Sequence, residues 1–94
     1  MCLQEKLDEY FEWFHKNPEL SYEEYATTAK IKEILKTEGI GILSCDLETG
    51  VVAVIEGEKD GPVQALRCDI DGLPIQEETG LGYASRYAGR MHAC

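Results

Sequence analysis

The chain has 94 residues, room for one domain at most and for a modest core. Hydrophobic residues make up 44% and charged residues 29%, the balance of a globular protein rather than a disordered one. No run approaches the ~18 consecutive apolar residues of a membrane span. Eighteen acidic against nine basic residues give a net charge of −9. That balance argues against nucleic acid and against an anionic membrane surface as partners, and it leaves small polar substrates and cations open.

Leu3, Leu7, Tyr10, Phe11 and Phe14 recur at helical spacing and predict an amphipathic helix over residues 3–16, stopped by Asn17-Pro18. Ser21 followed three residues later by Glu24 carries the capping-box signature, so a second helix is expected over residues 22–38. Ala29, Ile31, Ile34 and Leu35 form its apolar stripe and Gly39 its stop. Residues 40–45 are a short strand candidate. Residues 51–55 form a continuous apolar run, Glu58-Lys59-Asp60-Gly61 a turn, and residues 63–68 the expected return strand of a β-hairpin. A strand apolar on both sides of its pleat needs cover on both faces of its sheet, and the two helices supply one. Beyond Pro74 no periodicity is visible.

The N-terminus has no basic region followed by an apolar run, hence no signal-peptide pattern. Cys2, Cys45, Cys68 and Cys94 contain no C-x-x-C pair. Reduced thiols in a cytoplasmic protein are the expectation, with Cys45 and Cys68 as small hydrophobes in strand-like surroundings.

Three features bear chemistry. Asp69 and Asp71 stand two apart at the carboxyl end of an expected strand, so both side chains project to one side, able to meet a cation or to cap a turn. His92 and Cys94 offer the N and S donors that suit zinc, or a Cys–His nucleophile pair with no third orienting group in view. His15, at the end of the first helix, reads as a structural residue complementing the helix dipole.

Five stretches bring in a family. Phe14-His15-Lys16-Asn17-Pro18-Glu19-Leu20-Ser21-Tyr22-Glu23-Glu24 resembles H-x-x-P-E-L-S-x-x-E, and Thr49-Gly50-Val51-Val52-Ala53 resembles T-G-V-V-A. Residues 66–75 match L-R-A-D-x-D-[AG]-L-P-I, with Cys68 in place of Ala, and Glu77-Glu78-Thr79-Gly80-Leu81 matches E-x-T-G-L. Tyr83-Ala84-Ser85, Gly89 and Met91-His92-Ala93-Cys94 match Y-x-S…G…M-H-A-C. In this order they resemble the opening of the zinc-dependent amidohydrolases of the aminoacylase/carboxypeptidase metallopeptidase family. Asp71-Gly72 is similar to the N-acetyl-diaminopimelate deacetylase subgroup.

The resemblance implies the N-terminal portion of a three-layer α/β/α catalytic domain. Residues 1–94 are then a partial catalytic domain, ending before the rest of the metal site and the lid or dimerisation domain. It implies hydrolysis of the amide bond of N-acyl amino acids with a divalent metal pair, Zn or Mn. Cys94 matches a metal ligand, Asp69 and Asp71 match the Asp-x-Asp at the active-site rim, and His92 is expected to shape the loop. The catalytic glutamate and the other ligands match nothing in these residues, so the chain alone is expected to be inactive and to bind little or no metal. The alternative is a non-catalytic α/β association module. Either way, a sheet face without cover predicts self-association.

Overall fold

The computed structural model describes residues 2–94. Helix α1, Leu3–Lys16, begins where the Glu5 carboxylate accepts the Cys2 backbone N–H at 3.3 Å. It ends where Asn17 donates its backbone N–H and its side-chain amide back to the Trp13 carbonyl, just before Pro18 removes the next donor. The apolar stripe is present but largely open, with Leu3, Leu7 and Phe11 all exposed. Only the last turn of α1 is buried, at His15.

Helix α2, Tyr25–Thr37, starts three residues later than the Ser21–Glu24 pattern predicts. Tyr22 has φ +67°, a left-handed conformation that no helix can run through. The cap also comes from elsewhere. The Glu19 carboxylate accepts the backbone N–H groups of Ala26, at 3.1 Å, and of Thr27, satisfying orphan donors of the first turn. Glu24 turns back to accept the Tyr22 N–H. At the other end the expected glycine stop is a Schellman turn. Gly39, at φ +74°, donates to Lys36 O at 3.1 Å while Ile40 donates to Leu35 O at 2.8 Å.

Two strands follow, β1 (Gly41–Ile42) and β2 (Ala53–Val54), antiparallel with Gly41 opposite Val54 and Ile42 opposite Ala53. Leu43 extends the ladder, donating to Val52 O at 2.8 Å, and α2 packs on β1. The loop between the strands is tied to α2 by the Gly50 N–H, which donates to Thr28 Oγ1 at 2.8 Å. The antiparallel pair therefore lies one element earlier than expected. Residues 63–68 run past without joining β2, leaving Val63 99% and Leu66 95% exposed. A two-stranded ribbon persists only with a packed apolar face. α2 offers that to β1, and no described element offers it to residues 63–68. For the same reason Cys45 and Cys68 are exposed rather than core hydrophobes.

Chain order resumes at Gly72. Its N–H donates to Glu19 O at 2.6 Å in a parallel bridge between Leu20 and Gly72. Leu73 and Met91 form an antiparallel bridge through two bonds of 2.8 and 3.0 Å. The architecture is thus two helices and a small antiparallel sheet, followed by a long loop closed at residues 73 and 91. Among the described residues the one fully buried hydrocarbon side chain is Pro18; the other buried side chains are the polar His15, Glu24, Thr27 and Thr28.

Candidate functional site

The backbone between Glu19 and Gly72 sets the position of the Asp pair. A Cβ added at Gly72 would stand 3.0 Å from Pro18 Cβ and 3.1 Å from Met91 O, so glycine here permits the chain to approach α1's exit and the 91–94 segment at once. Asp71 is carried half-buried beside this crossing, and Asp69 stands one step further out in solvent. Asp69 Oδ1 pairs with Arg67 Nη2 at 2.8 Å, with both side chains more than two-thirds exposed. A pair so wet contributes little energy. Asp69 and Asp71 border one open cleft of about 220 Å³, together with Glu24, Thr49 and Cys68.

Cys94 is exposed and does not line that cleft. His92, two residues before it, is half-buried, with Nε2 shielded from solvent and without a hydrogen-bond partner. Burial holds its imidazole below the usual histidine range and nearby His15 adds to this, against the opposing pull of the Asp71 carbonyl and carboxylate. Among the described residues no three His, Cys, Asp or Glu side chains are grouped so as to hold a metal ion. The donors present do not fit a metal pair on their own.

The most connected polar group in the chain is Glu77. Its Oε1 accepts the Ser85 N–H at 2.8 Å, and its Oε2 accepts the Thr79 hydroxyl and lies 3.0 Å from His15 Nε2. These donors hold the carboxyl at about 2, with the Thr79 hydroxyl as the largest cause, then His15, then the Ser85 amide. An ionised carboxylate only accepts, so His15 Nε2 carries a proton. The pair is shielded, with side-chain exposures of 11% for His15 and 2% for Glu77. The His15 ring is stacked with Phe11 at 5.9 Å and meets the Tyr83 ring edge-on at 5.6 Å.

His15 is structural, as its helix-end position suggests, but its partner is a carboxylate from a distant loop rather than the helix dipole alone. Sequence reasoning missed Glu77 because residues 75–91 have no period to read. The available signal was the E-x-T and Y-x-S spacing, which brings Thr79 and Ser85 onto one carboxylate.

No protein-family model matches the chain. It is 60% identical over 80 residues to an N-acetyl-L-cysteine deacetylase of Bacillus subtilis, covering 85% of this chain and 19% of that protein. It is 56% identical over 81 residues to an N-acetylcysteine deacetylase of the same organism, covering 85% and 21%. Among solved structures it resembles the Bacillus subtilis YXEP protein, described as a dinuclear metal binding peptidase from the M20 family. That match has a TM-score of 0.92 and 51% identity over 95% of this chain and 25% of the other. The chain thus spans about a fifth to a quarter of the length of the proteins it matches.

Proposed function

We propose that this chain, which belongs to the M20 metallopeptidase family, is the N-terminal part of a metal-dependent amidohydrolase acting on N-acyl amino acids. The observation that carries the reading is the joint match of sequence and backbone to a dinuclear metal peptidase, 51% identical at a TM-score of 0.92. Residues 1–94 are part of the catalytic domain, and other parts of the whole protein supply the remaining metal donors. The metal is Zn or Mn. Cys94 is a soft, exposed donor available to it. Asp69 and Asp71 stand at the rim, where their carboxylates face substrate or orient other ligands.

The whole protein is a cytoplasmic enzyme with small-molecule substrates, and neither nucleic acid nor membrane is a partner. The net charge of −9 on these 94 residues supports the reading that nucleic acid is not a partner. The 94-residue chain by itself binds little or no metal and does not turn over substrate. The test is an assay of this chain and of the whole protein against N-acetyl amino acids, N-acetylcysteine included, with Zn and with Mn. Turnover by the whole protein and none by the chain supports the reading. Turnover by the short chain that is lost on Cys94→Ala overturns it.

A second reading, an association module, rests on the exposed apolar side chains of Ile55, Val63 and Leu66 and on the edge of β2 that pairs with no strand among the described residues. It predicts that the isolated chain self-associates through that edge. A clean monomer in sedimentation at high concentration removes it.

A further inference from the structure

Two stretches far apart in sequence, the end of α1 and the 73–91 loop, meet at one carboxylate. His15 comes from the end of α1, Glu77 and Thr79 from the start of the 73–91 loop, and Ser85 and Tyr83 from its middle. Every bond in this group either folds the loop on itself or ties it to α1. Two more bonds have the same sense. Arg86 N–H donates at 2.9 Å to Lys16 O, one of the carbonyls left open at the end of α1, and Gly89 N–H donates at 2.7 Å to Gln76 Oε1. The loop closes at the Leu73–Met91 bridge, and the residues that follow at once are His92, Ala93 and Cys94. A loop without helix or strand takes its shape from such anchors alone.

The geometry points to His15 and Glu77 as a positioning pair, which fixes the 73–91 loop on the end of α1 and thereby sets where the chain leaves the Leu73–Met91 bridge toward His92 and Cys94. Neither residue borders the Asp69/Asp71 cleft, and neither is required to touch a substrate. The Glu77 carboxylate is the point that matters. It is shielded, it accepts three donors, and two of them, the Ser85 N–H and the Thr79 hydroxyl, have no other acceptor within the group. Removing it leaves the part-buried Ser85 N–H unpaired, which costs more than the lost bond alone. The inference concerns placement of the loop and goes beyond the amidohydrolase reading, which it does not require.

The experiment separates the hydrogen bond from the aromatic packing. His15→Phe keeps a ring between Phe11 and Tyr83 but removes the donor. His15→Gln keeps a donor but removes the ring. Glu77→Leu removes the acceptor. Two quantities are read on the 94-residue chain. One is amide hydrogen exchange at Ser85, Leu73 and Met91, compared with Thr28 in α2. The other is the spread of distances between Trp13, the only tryptophan, and a fluorescent acceptor on Cys94, with Cys2, Cys45 and Cys68 replaced by serine.

In the parent chain we expect a protected Ser85 amide and a narrow distance distribution. His15→Phe and Glu77→Leu should speed exchange at Ser85 by about tenfold or more and broaden the distances, with Thr28 unchanged. His15→Gln should restore part of both. The inference is overturned if the Ser85 amide already exchanges freely in the parent. It is equally overturned if His15→Phe leaves both readouts unchanged, or if Thr28 is accelerated as much as Ser85. Should Glu77→Leu not fold, His15→Phe and its glutamine counterpart decide the matter alone.

Discussion

The two halves of the molecule are held by different forces. Around the end of α1, residues 13–20 and 72–92 are joined by backbone bridges and by the Glu77 carboxylate on His15, Thr79 and Ser85, while the Glu19 carboxylate ties the same end to the α2 amides. Between residues 41 and 70 the chain has a two-residue ladder, and side chains such as Ile55, at 80% exposure, and Leu66, at 95%, meet solvent. Hydrogen bonds are short-range and directional, so a few suffice to close a loop once the geometry is right. Hydrophobic stabilisation scales with area removed from water, and a strand facing solvent removes none. The first half carries its own closure, and the second half requires a covering surface.

Substitutions sharpen that contrast. The largest effect is expected at the crossing of the closed half. Gly72→Val drives side-chain carbon into Pro18 and the Met91 carbonyl and should cost about 1–3 kcal/mol, read as a lower midpoint in denaturant unfolding. Gly57→Ala, with nothing within 4 Å of the added carbon, is the matching control in the open half and should change stability by less than about 0.5 kcal/mol.

Next in size is the cap of α2. Glu19→Ala leaves the Ala26 and Thr27 amides without their acceptor and should cost about 1 kcal/mol. Ser21→Ala, at the position the sequence pattern favours, should be close to silent. An equal loss from both would show that the cap is local after all.

Acid should loosen the closed half first. The carboxyl of Glu77 is lowered to about 2 in the fold, below its unfolded value near 4.5. Its contribution is therefore complete above pH ~4.5 and is lost as pH falls from there through about 2. Protection of the Ser85 amide, taken relative to its intrinsic exchange rate at each pH, should fall across that window, and Glu77→Gln should flatten the fall.

The smallest effect on stability is expected in the open half. Val63→Ser and Leu66→Ser change side chains already in water and should shift the unfolding midpoint little. Their effect should appear instead in sedimentation, as weaker self-association. Strong destabilisation of the monomer by either would mean that the apolar strand is covered within one chain.

Where the sequence speaks locally it was legible. The 3–16 helix falls on the observed bounds because its stripe and the Asn17-Pro18 stop are both neighbour effects. Gly39 ends α2 as the pattern says. The misreadings arise where a distant group decides. Ser21 fits a capping box, but Tyr22 is left-handed and the cap comes from Glu19, a choice fixed by the turn between them. Residues 63–68 fit a return strand, but pairing depends on cover that no local pattern encodes. At the site, Asp69 and Asp71 both border one cleft. At Glu77 the spacing of Thr79 and Ser85 was there to read, but the His15 partner, 62 residues away, was not.

That separation has a consequence during synthesis. At ~5–20 residues per second, Glu77 is made about 3–12 s after His15. For that interval α1 has no carboxylate to receive the imidazole and no Tyr83 to stack against it. Phe11, Phe14 and the His15 ring then form an open aromatic face on a nascent helix. That face is one that the finished fold partly covers, and a factor that binds the nascent chain meets it before the loop does.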